Sequence, residues 1–276
     1  MVSTTGITEI TDILADIAVE AGKKVLGVYE TDFTTYTKED QTPITMADRQ
    51  SHQYICSRLG DVSVGNSGPL PVLSEEGRSI PYGERRVWEA FWLVDPLDGT
   101  KEFVKRNGEF TVNIALIAEG KPLAGFVYVP VKDVLYYGIA GSGAYTCTGS
   151  SLENSRSLPL EETQPAGKTR IMASRSHRSS ETEEFINKLK QQVGDVHIIS
   201  AGSSLKLCRV AEGSVDIYPR FGPTMEWDTA AAHAVCGAAG CIVVNPHTKT
   251  ELQYNKENLV NPHFIVFRDP KFANLF

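Results

Sequence analysis

The chain has 276 residues, 41% of them hydrophobic, and a formal net charge of −7. That length supports a substantial core in one large or two intimate domains, while the acidic balance argues against a protein that coats nucleic acid, which presents a basic surface. The cysteines at 56, 147, 208, 236 and 241 are odd in number and lack a C-x-x-C pair, which argues against a disulfide framework or zinc ribbon and fits reduced cytosolic thiols.

An amphipathic helix is expected first: Ile10, Ile13, Leu14, Ile17, Ala18, Ala21, Val25 and Val28 recur mostly three and four apart, with Thr8 as its N-cap. A second helix is expected from Thr45-Met46-Ala47-Asp48 to about Gly60, with Asp48 as a first-turn acid. In Val72-Leu73-Ser74-Glu75-Glu76-Gly77 a short apolar run ends in carboxylates. Alone this reads as an exposed turn, since charged pairs usually face solvent, and Glu75 is its better ligand candidate.

The continuous apolar run Phe91-Trp92-Leu93-Val94 suits a strand covered on both faces, and it delivers Asp95-Pro96-Leu97-Asp98-Gly99-Thr100 to the strand's mouth. Pro96 favours extended geometry at Asp95 and suits the first position of a helix, so the chain is expected to turn from strand to helix there. Asp95 and Asp98, three apart, can face one point, while Gly99 and Thr100 offer N–H groups and a hydroxyl that attract anions. An ordinary turn with Asp98 capping a helix is the alternative. Two ionised carboxylates 4 Å apart repel by about 4 kcal/mol at an effective dielectric near 20, and a divalent cation removes that cost. Hard oxygen donors without a nearby His or Cys favour magnesium, manganese or calcium over zinc.

Strands at Thr111–Ile117, Leu123–Val129 and Val134–Ile139, joined by turns too short for crossover helices, form an antiparallel meander. The Ser-, Glu-, Thr- and Pro-rich stretch from Thr148 to Gly167 reads as a connection, dividing an α+β half, residues 1–155, from an α/β half, residues 156–276. In the second half a strand at Thr169–Ala173 leads to a helix at Glu181–Gln191, opened by a Ser180/Glu183 capping box. A strand at Val196–Ser200, a helix near Ser204–Ala211, and strands at Val215–Tyr218, Ile242–Val244 and Phe264–Phe267 complete it. Between the last of these, Glu226-Trp227-Asp228-Thr229 opens a small-residue helix running to about Gly237 or Gly240, with an N-cap as the plain role of Asp228. No signal segment or apolar run of bilayer length is present, so a protein without a transmembrane segment is expected, with peripheral membrane attachment left open.

Taken in order, the Glu75-Glu76 pair, the Asp-Pro-Leu-Asp-Gly-Thr run and the Trp-Asp-x-Ala-Ala run resemble the inositol monophosphatase superfamily of metal-dependent phosphatases over nearly the whole chain. Trp92 through Phe103, Lys105 through Asn113, and Tyr218 through Thr224 are most similar to its bacterial 3'(2'),5'-bisphosphate nucleotidases. The resemblance implies a layered αβαβα sandwich with the site between the halves. It implies two or three Mg2+ ions, replaceable by Mn2+: Glu75, Asp95 and the Leu97 carbonyl around one, and Asp95, Asp98 and Asp228 around a second, with Asp95 bridging. Water is the implied nucleophile, since no Cys or His lies in these motifs to form a phosphoenzyme. Asp48, Thr100 and Glu75 are the implied catalytic residues.

The implied substrate contacts are Glu75, Leu97, Asp98, Gly99, Thr100, His177, Ser203, Lys206, Arg220 and Asp228. Lys206 and Arg220 suit a second phosphate that the metals do not neutralise, although surface cations are their plain reading. Ser174-Arg175-Ser176-His177 is the segment whose His approaches the nucleotide by resemblance. The implied reaction is hydrolysis of the 3'-phosphate of adenosine 3',5'-bisphosphate to AMP and phosphate, with the 3'-phosphoadenylyl sulfate analogue as a second substrate, in cytoplasmic sulfur assimilation. The alternatives are an inositol monophosphate or sugar-phosphate phosphatase and a non-catalytic nucleotide-phosphate sensor. Oligomeric state is open.

Overall fold

Two sheets alternate with helices through the computed structural model, which describes residues 4–32, 34, 36–37, 43–160, 168–173 and 179–275. The helices are α1 (Thr4–Thr8), α2 (Thr11–Tyr29), α3 (Met46–Leu59), α4 (Tyr82–Arg85), α5 (Thr100–Val104), α6 (Ser180–Val193), α7 (Leu205–Ala211) and α8 (Ala230–Ala238). A short ribbon pairs β1 (Tyr36–Thr37) with β2 (Pro43–Ile44). The first large sheet holds β3 (Val72–Ser74), β4 (Ala90–Asp98), β5 (Thr111–Ala118), β6 (Lys121–Val129), β7 (Val134–Ile139), β8 (Gly143–Thr148) and β9 (Arg156–Ser157), adjacent in that order. The second comprises β10 (Thr169–Met172), β11 (Val196–Ile199), β12 (Ile217–Arg220), β13 (Ile242–Val244) and β14 (Phe264–Phe267), in the spatial order β11-β10-β12-β14-β13.

Alternation along the strands divides the core into layers. Trp92, Val94, Ile114, Leu116 and Phe126 face α2 and α3 on one side of the first sheet, whereas Phe91, Leu93, Ala115, Ile117 and Val127 face α7 and α8 on the other. Both faces are covered, which is why β4 reads as an unbroken apolar run. Tyr218, Phe264 and Val266 close the middle layer from the second sheet. The outer face of that sheet, with Ile171, Ile217, Ile265 and Phe267, is sealed by Phe185, Ile186 and Leu189 of α6. The result is the expected αβαβα sandwich.

Several boundaries differ from the sequence expectations. Thr8 ends α1, where its hydroxyl donates to the Thr4 carbonyl at 3.1 Å, and α2 follows Ile10 with no side-chain cap. α6 is capped by Ser179 rather than Ser180, its hydroxyl accepting the Thr182 N–H at 3.3 Å. The strand expected from Val215, β12, starts at Ile217 because Asp216 is taken up by Arg170, whose backbone N–H, Nε and Nη2 all donate to it. The meander gains β8 and β9, the latter inside the expected connection.

Glycine fixes the contact between the first sheet and α8. A Cβ on Gly125 would overlap the Ala231 carbonyl, and one on Gly138 would lie 2.7 Å from Val235 Cα. The α8 backbone therefore rests directly on β6 and β7, which sets the position of Asp228 just before it. Gly125→Ala should cost about 1–3 kcal/mol or more by overpacking, read from denaturant unfolding. Gly237→Ala, on the open face of α8 with nothing within 4 Å, should be neutral or stabilising.

Candidate active site

The site begins with strand pairing. β3 runs parallel to β4 with Ser74 opposite Val94, and the Glu75 N–H donates to the Val94 carbonyl at 3.1 Å. Glu75 and Asp95 therefore leave the carboxyl ends of two parallel strands side by side, where α/β sheets bind ligands.

Beyond Asp95 the chain does not turn directly into a helix, as Pro96 suggested. Asp95 pairs with Asn113 and Asp98 with Thr111, so β4 continues through a register shift with Pro96 and Leu97 between them. A proline lacks the N–H that a regular ladder needs, and a bulge accommodates it. The helical turn waits for Gly99, whose φ of 91° places it in the left-handed region before α5. Asp98 is not a helix cap: its Oδ2 accepts the Ser203 hydroxyl at 2.7 Å and the Ser204 N–H at 2.5 Å. Asp95 Oδ1 accepts the Leu97 N–H at 3.1 Å.

Asp228 is likewise not the N-cap of α8, a position held by Thr229. Its Oδ2 accepts the Met225 N–H at 2.8 Å, closing a turn that leaves the carboxylate facing Asp95. One oxygen each from Glu75, Asp95 and Asp228 lie within 4.8 Å of one another. Asp95 is 1% exposed. Burial, followed by the charges of Glu75, Asp98 and Asp228, pushes its carboxyl well above the usual range. Burial and the charge of Asp98 push Asp228 up to about 8.

Asp48 and Thr100 meet on the adjoining wall. Thr45 and Asp48 form a reciprocal capping box at the start of α3, so the first-turn acid has a defined local partner. Asp48 Oδ2 accepts both the Thr45 N–H and its hydroxyl at 2.7 Å, while Oδ1 accepts the Thr100 hydroxyl at 3.2 Å. Thr100 Oγ1 also lies 3.4 Å from the Leu97 carbonyl oxygen. Burial raises the Asp48 pKa against the lowering effect of these Thr45 bonds.

On the other side of Asp98 and Asp228 lies a cavity of about 220 Å³, also lined by Gly99, Ser203, Lys206 and Arg220. Lys206 Nζ sits 5.7 Å from the centroid of the Tyr218 ring, and Arg220 Nη2 donates to the Pro223 carbonyl at 3.1 Å. Both cations are half-buried, and Arg220 Nε is buried with no partner, unlike freely solvated surface groups. His177 lies outside the described residues. Sequence reasoning missed Glu102, Tyr218 and Thr224, which share this lining. It also missed Asn113, whose Oδ1 accepts the Ser204 hydroxyl at 2.9 Å. Two signals pointed to them: Tyr218 and Arg220 alternate onto one face of β12, and Asn113 interrupts an apolar strand. A larger cavity, about 510 Å³, lies between α6 and the outer sheet beside Phe185, Phe221 and His263. None of the clustered carboxylates lines it, so chemistry rather than volume selects the site.

Comparisons with known proteins agree with this geometry. The model of the inositol monophosphatase family matches residues 7–270. The 3'(2'),5'-bisphosphate nucleotidase CysQ of Salmonella typhimurium is 42% identical over 255 residues, 92% of this chain and 97% of that protein. The crystal structure of CysQ from Bacteroides thetaiotaomicron superposes with a TM-score of 0.82 at 47% identity, covering 94% of this chain and 96% of that one. An IMPase of Thermotoga maritima shares the fold at a TM-score of 0.73 and 19% identity, over 96% of this chain and 94% of that one. No helix among the described residues is long and apolar enough to cross a membrane. By sequence, fold and the meeting of its three acidic motifs, the chain belongs to the inositol monophosphatase family.

Proposed function

We propose that the chain is a Mg2+-dependent 3'(2'),5'-bisphosphate nucleotidase that cleaves the 3'-phosphate of adenosine 3',5'-bisphosphate to AMP and inorganic phosphate, and also acts on the 3'-phosphoadenylyl sulfate analogue. The observation that carries this reading is the meeting of Glu75, Asp95 and Asp228 beside a cavity that holds Lys206 and Arg220. The five unpaired cysteines support a reducing, cytoplasmic setting.

The donor set fits the metal. It is all oxygen, the choice of a hard divalent cation, and Asp95 and Asp228 are displaced upward by burial first and by neighbouring acids second, both of which such a cation offsets. Glu75, Asp95 and the Leu97 carbonyl would hold one ion, and Asp95, Asp98 and Asp228 a second, with Mn2+ able to replace Mg2+. When bound, the metal supplies Lewis-acid polarisation of the phosphoryl group and raises the acidity of water.

The chain's own groups do the rest. Asp48 Oδ2 is occupied by Thr45, so Oδ1 takes the Thr100 hydroxyl hydrogen and leaves the Thr100 lone pairs to accept one from the attacking water. As the water oxygen bonds to phosphorus and the bond to the 3' oxygen breaks, the water's proton passes through Thr100 toward Asp48, which burial has made more basic, and the departing 3' oxygen takes up a proton from solvent to become the 3'-hydroxyl of AMP. Arg220 and Lys206 grip the remaining phosphate, the guanidinium in bidentate fashion. Ser203 holds Asp98 in place.

Asp98→Asn and Asp228→Asn should each lower Mg2+-dependent phosphate release by about a hundredfold or more while the fold survives, because each removes a repelled charge along with a ligand. Lys206→Ala and Arg220→Ala should raise KM for adenosine 3',5'-bisphosphate about tenfold, in keeping with loss of a charged hydrogen bond, and affect inositol monophosphate turnover less. A preference for inositol monophosphate in the unaltered protein would contradict the nucleotidase reading.

A pH prediction follows from the same charges. Asp228 holds its proton up to about 8 when folded but loses it near 4 when unfolded, so unfolding releases a proton across that window. In EDTA the melting temperature should therefore fall as pH rises from about 4 to 8. Asp228→Asn should flatten the decline, and Mg2+ should remove it in the unaltered protein only. A melting temperature in EDTA that climbs across this window would contradict the crowding of the acids.

A further inference from the structure

One face of α3 touches both strand ends that carry the acidic motifs. Asp48, Ser51 and His52 stand at i, i+3 and i+4, spacings that bring side chains onto one side of a helix. Asp48 bonds Thr100, as described. Ser51 is fully buried, and its hydroxyl donates to the Pro96 carbonyl at 2.7 Å. That carbonyl lies in the register shift between Asp95 and Asp98, where no ladder pairing holds the chain. His52 Nδ1 is 2.9 Å from the Ser74 hydroxyl, one residue before Glu75.

We propose that Ser51 and His52 are positioning residues: through Pro96 and Ser74 they clamp the β4 bulge and the β3 end to α3, and thereby fix the spacing of Glu75, Asp95 and Asp98 around the cation. The inference rests on the metal reading given under Proposed function. Ordinary sheet hydrogen bonds hold β3 to β4 only as far as Ser74 and Val94, with one further bond from the Glu75 N–H. Past that point the mutual repulsion of the acids works to spread the two chain ends. Ser51 supplies the one side-chain donor to the Pro96 carbonyl found among the described residues, so its loss leaves a buried acceptor unpaired at the bulge itself. Nothing in this role requires either side chain to touch metal or substrate.

The test is Mn2+ affinity of the full-length protein, read by electron paramagnetic resonance titration at fixed pH, with thermal melts in parallel. Ser51→Ala and His52→Phe should weaken Mn2+ binding at least fivefold. His52→Asn, which keeps a hydrogen-bonding atom near the Nδ1 position, should bind within twofold of the unaltered protein. Thr146→Val is the matched control: it removes a buried hydroxyl that donates to the Leu135 carbonyl at 3.0 Å, away from the acids, and should lower the melting temperature without changing Mn2+ affinity. Unaltered Mn2+ binding in Ser51→Ala or His52→Phe, or equal weakening in Thr146→Val, overturns the inference. If Ser51→Ala does not fold, the His52 pair decides, and failure of His52→Asn to restore binding counts against it. Asp228→Asn separates the two levels. Its binding Mn2+ as tightly as the unaltered protein overturns the metal reading, whereas its loss of binding alongside normal binding in the α3 variants overturns only the positioning role.

Discussion

Everything about this site follows from crowding negative charge into a place that water does not fully reach. Two acidic side chains at hydrogen-bonding range repel by several kcal/mol in a partly buried setting, and the fold brings Glu75, Asp95 and Asp228 together all the same. Asp98, next to them, is held by Ser203 and Ser204. Folding thus works against the acids, and on the proposed metal reading a divalent cation would convert that liability into affinity. This is a common bargain at functional sites, where local stability is given up for chemistry.

The structure holds the acids by means that do not depend on their chemistry. Parallel pairing of β3 with β4 puts Glu75 next to Asp95. A bulge brings Asp98 back to the same side of the chain, and Gly125 and Gly138 let α8 lie close enough to the sheet to aim Asp228 inward. Rigid elements placing a reactive cluster is what preorganisation requires, since displacement of a ligand by an ångström weakens a metal site. The cavity beside them draws on the segment around Ser203 and on Tyr218, Arg220 and Thr224 in and after β12, and it shares Asp98 and Asp228 with the acidic cluster.

Much of this was legible in the residues. The unbroken apolar run at 91–94, the short turns of the meander and the three acidic motifs were enough to anticipate a buried strand, an antiparallel sheet and a convergence of acids, because each rests on local pattern. What escaped was non-local. Pro96 looks like a helix starter until Thr111 and Asn113 are seen to keep β4 paired past it. Asp98 and Asp228 look like helix caps until Ser204 and Met225 are seen to supply their backbone donors. Ser51 and His52 carry no motif of their own, and only the packing of α3 against the strand ends gives them partners. Gly125 and Gly138 drew no notice in the sequence, yet they are where a helix backbone makes contact.

The central claim is that Glu75, Asp95 and Asp228 converge to hold a divalent cation, and anomalous diffraction from crystals soaked in Mn2+ tests it most directly. The account predicts an anomalous peak within coordination distance of Asp95 and shared with Glu75 or Asp228. A fully soaked crystal with no peak there, and with these carboxylates turned away from one another, would contradict it.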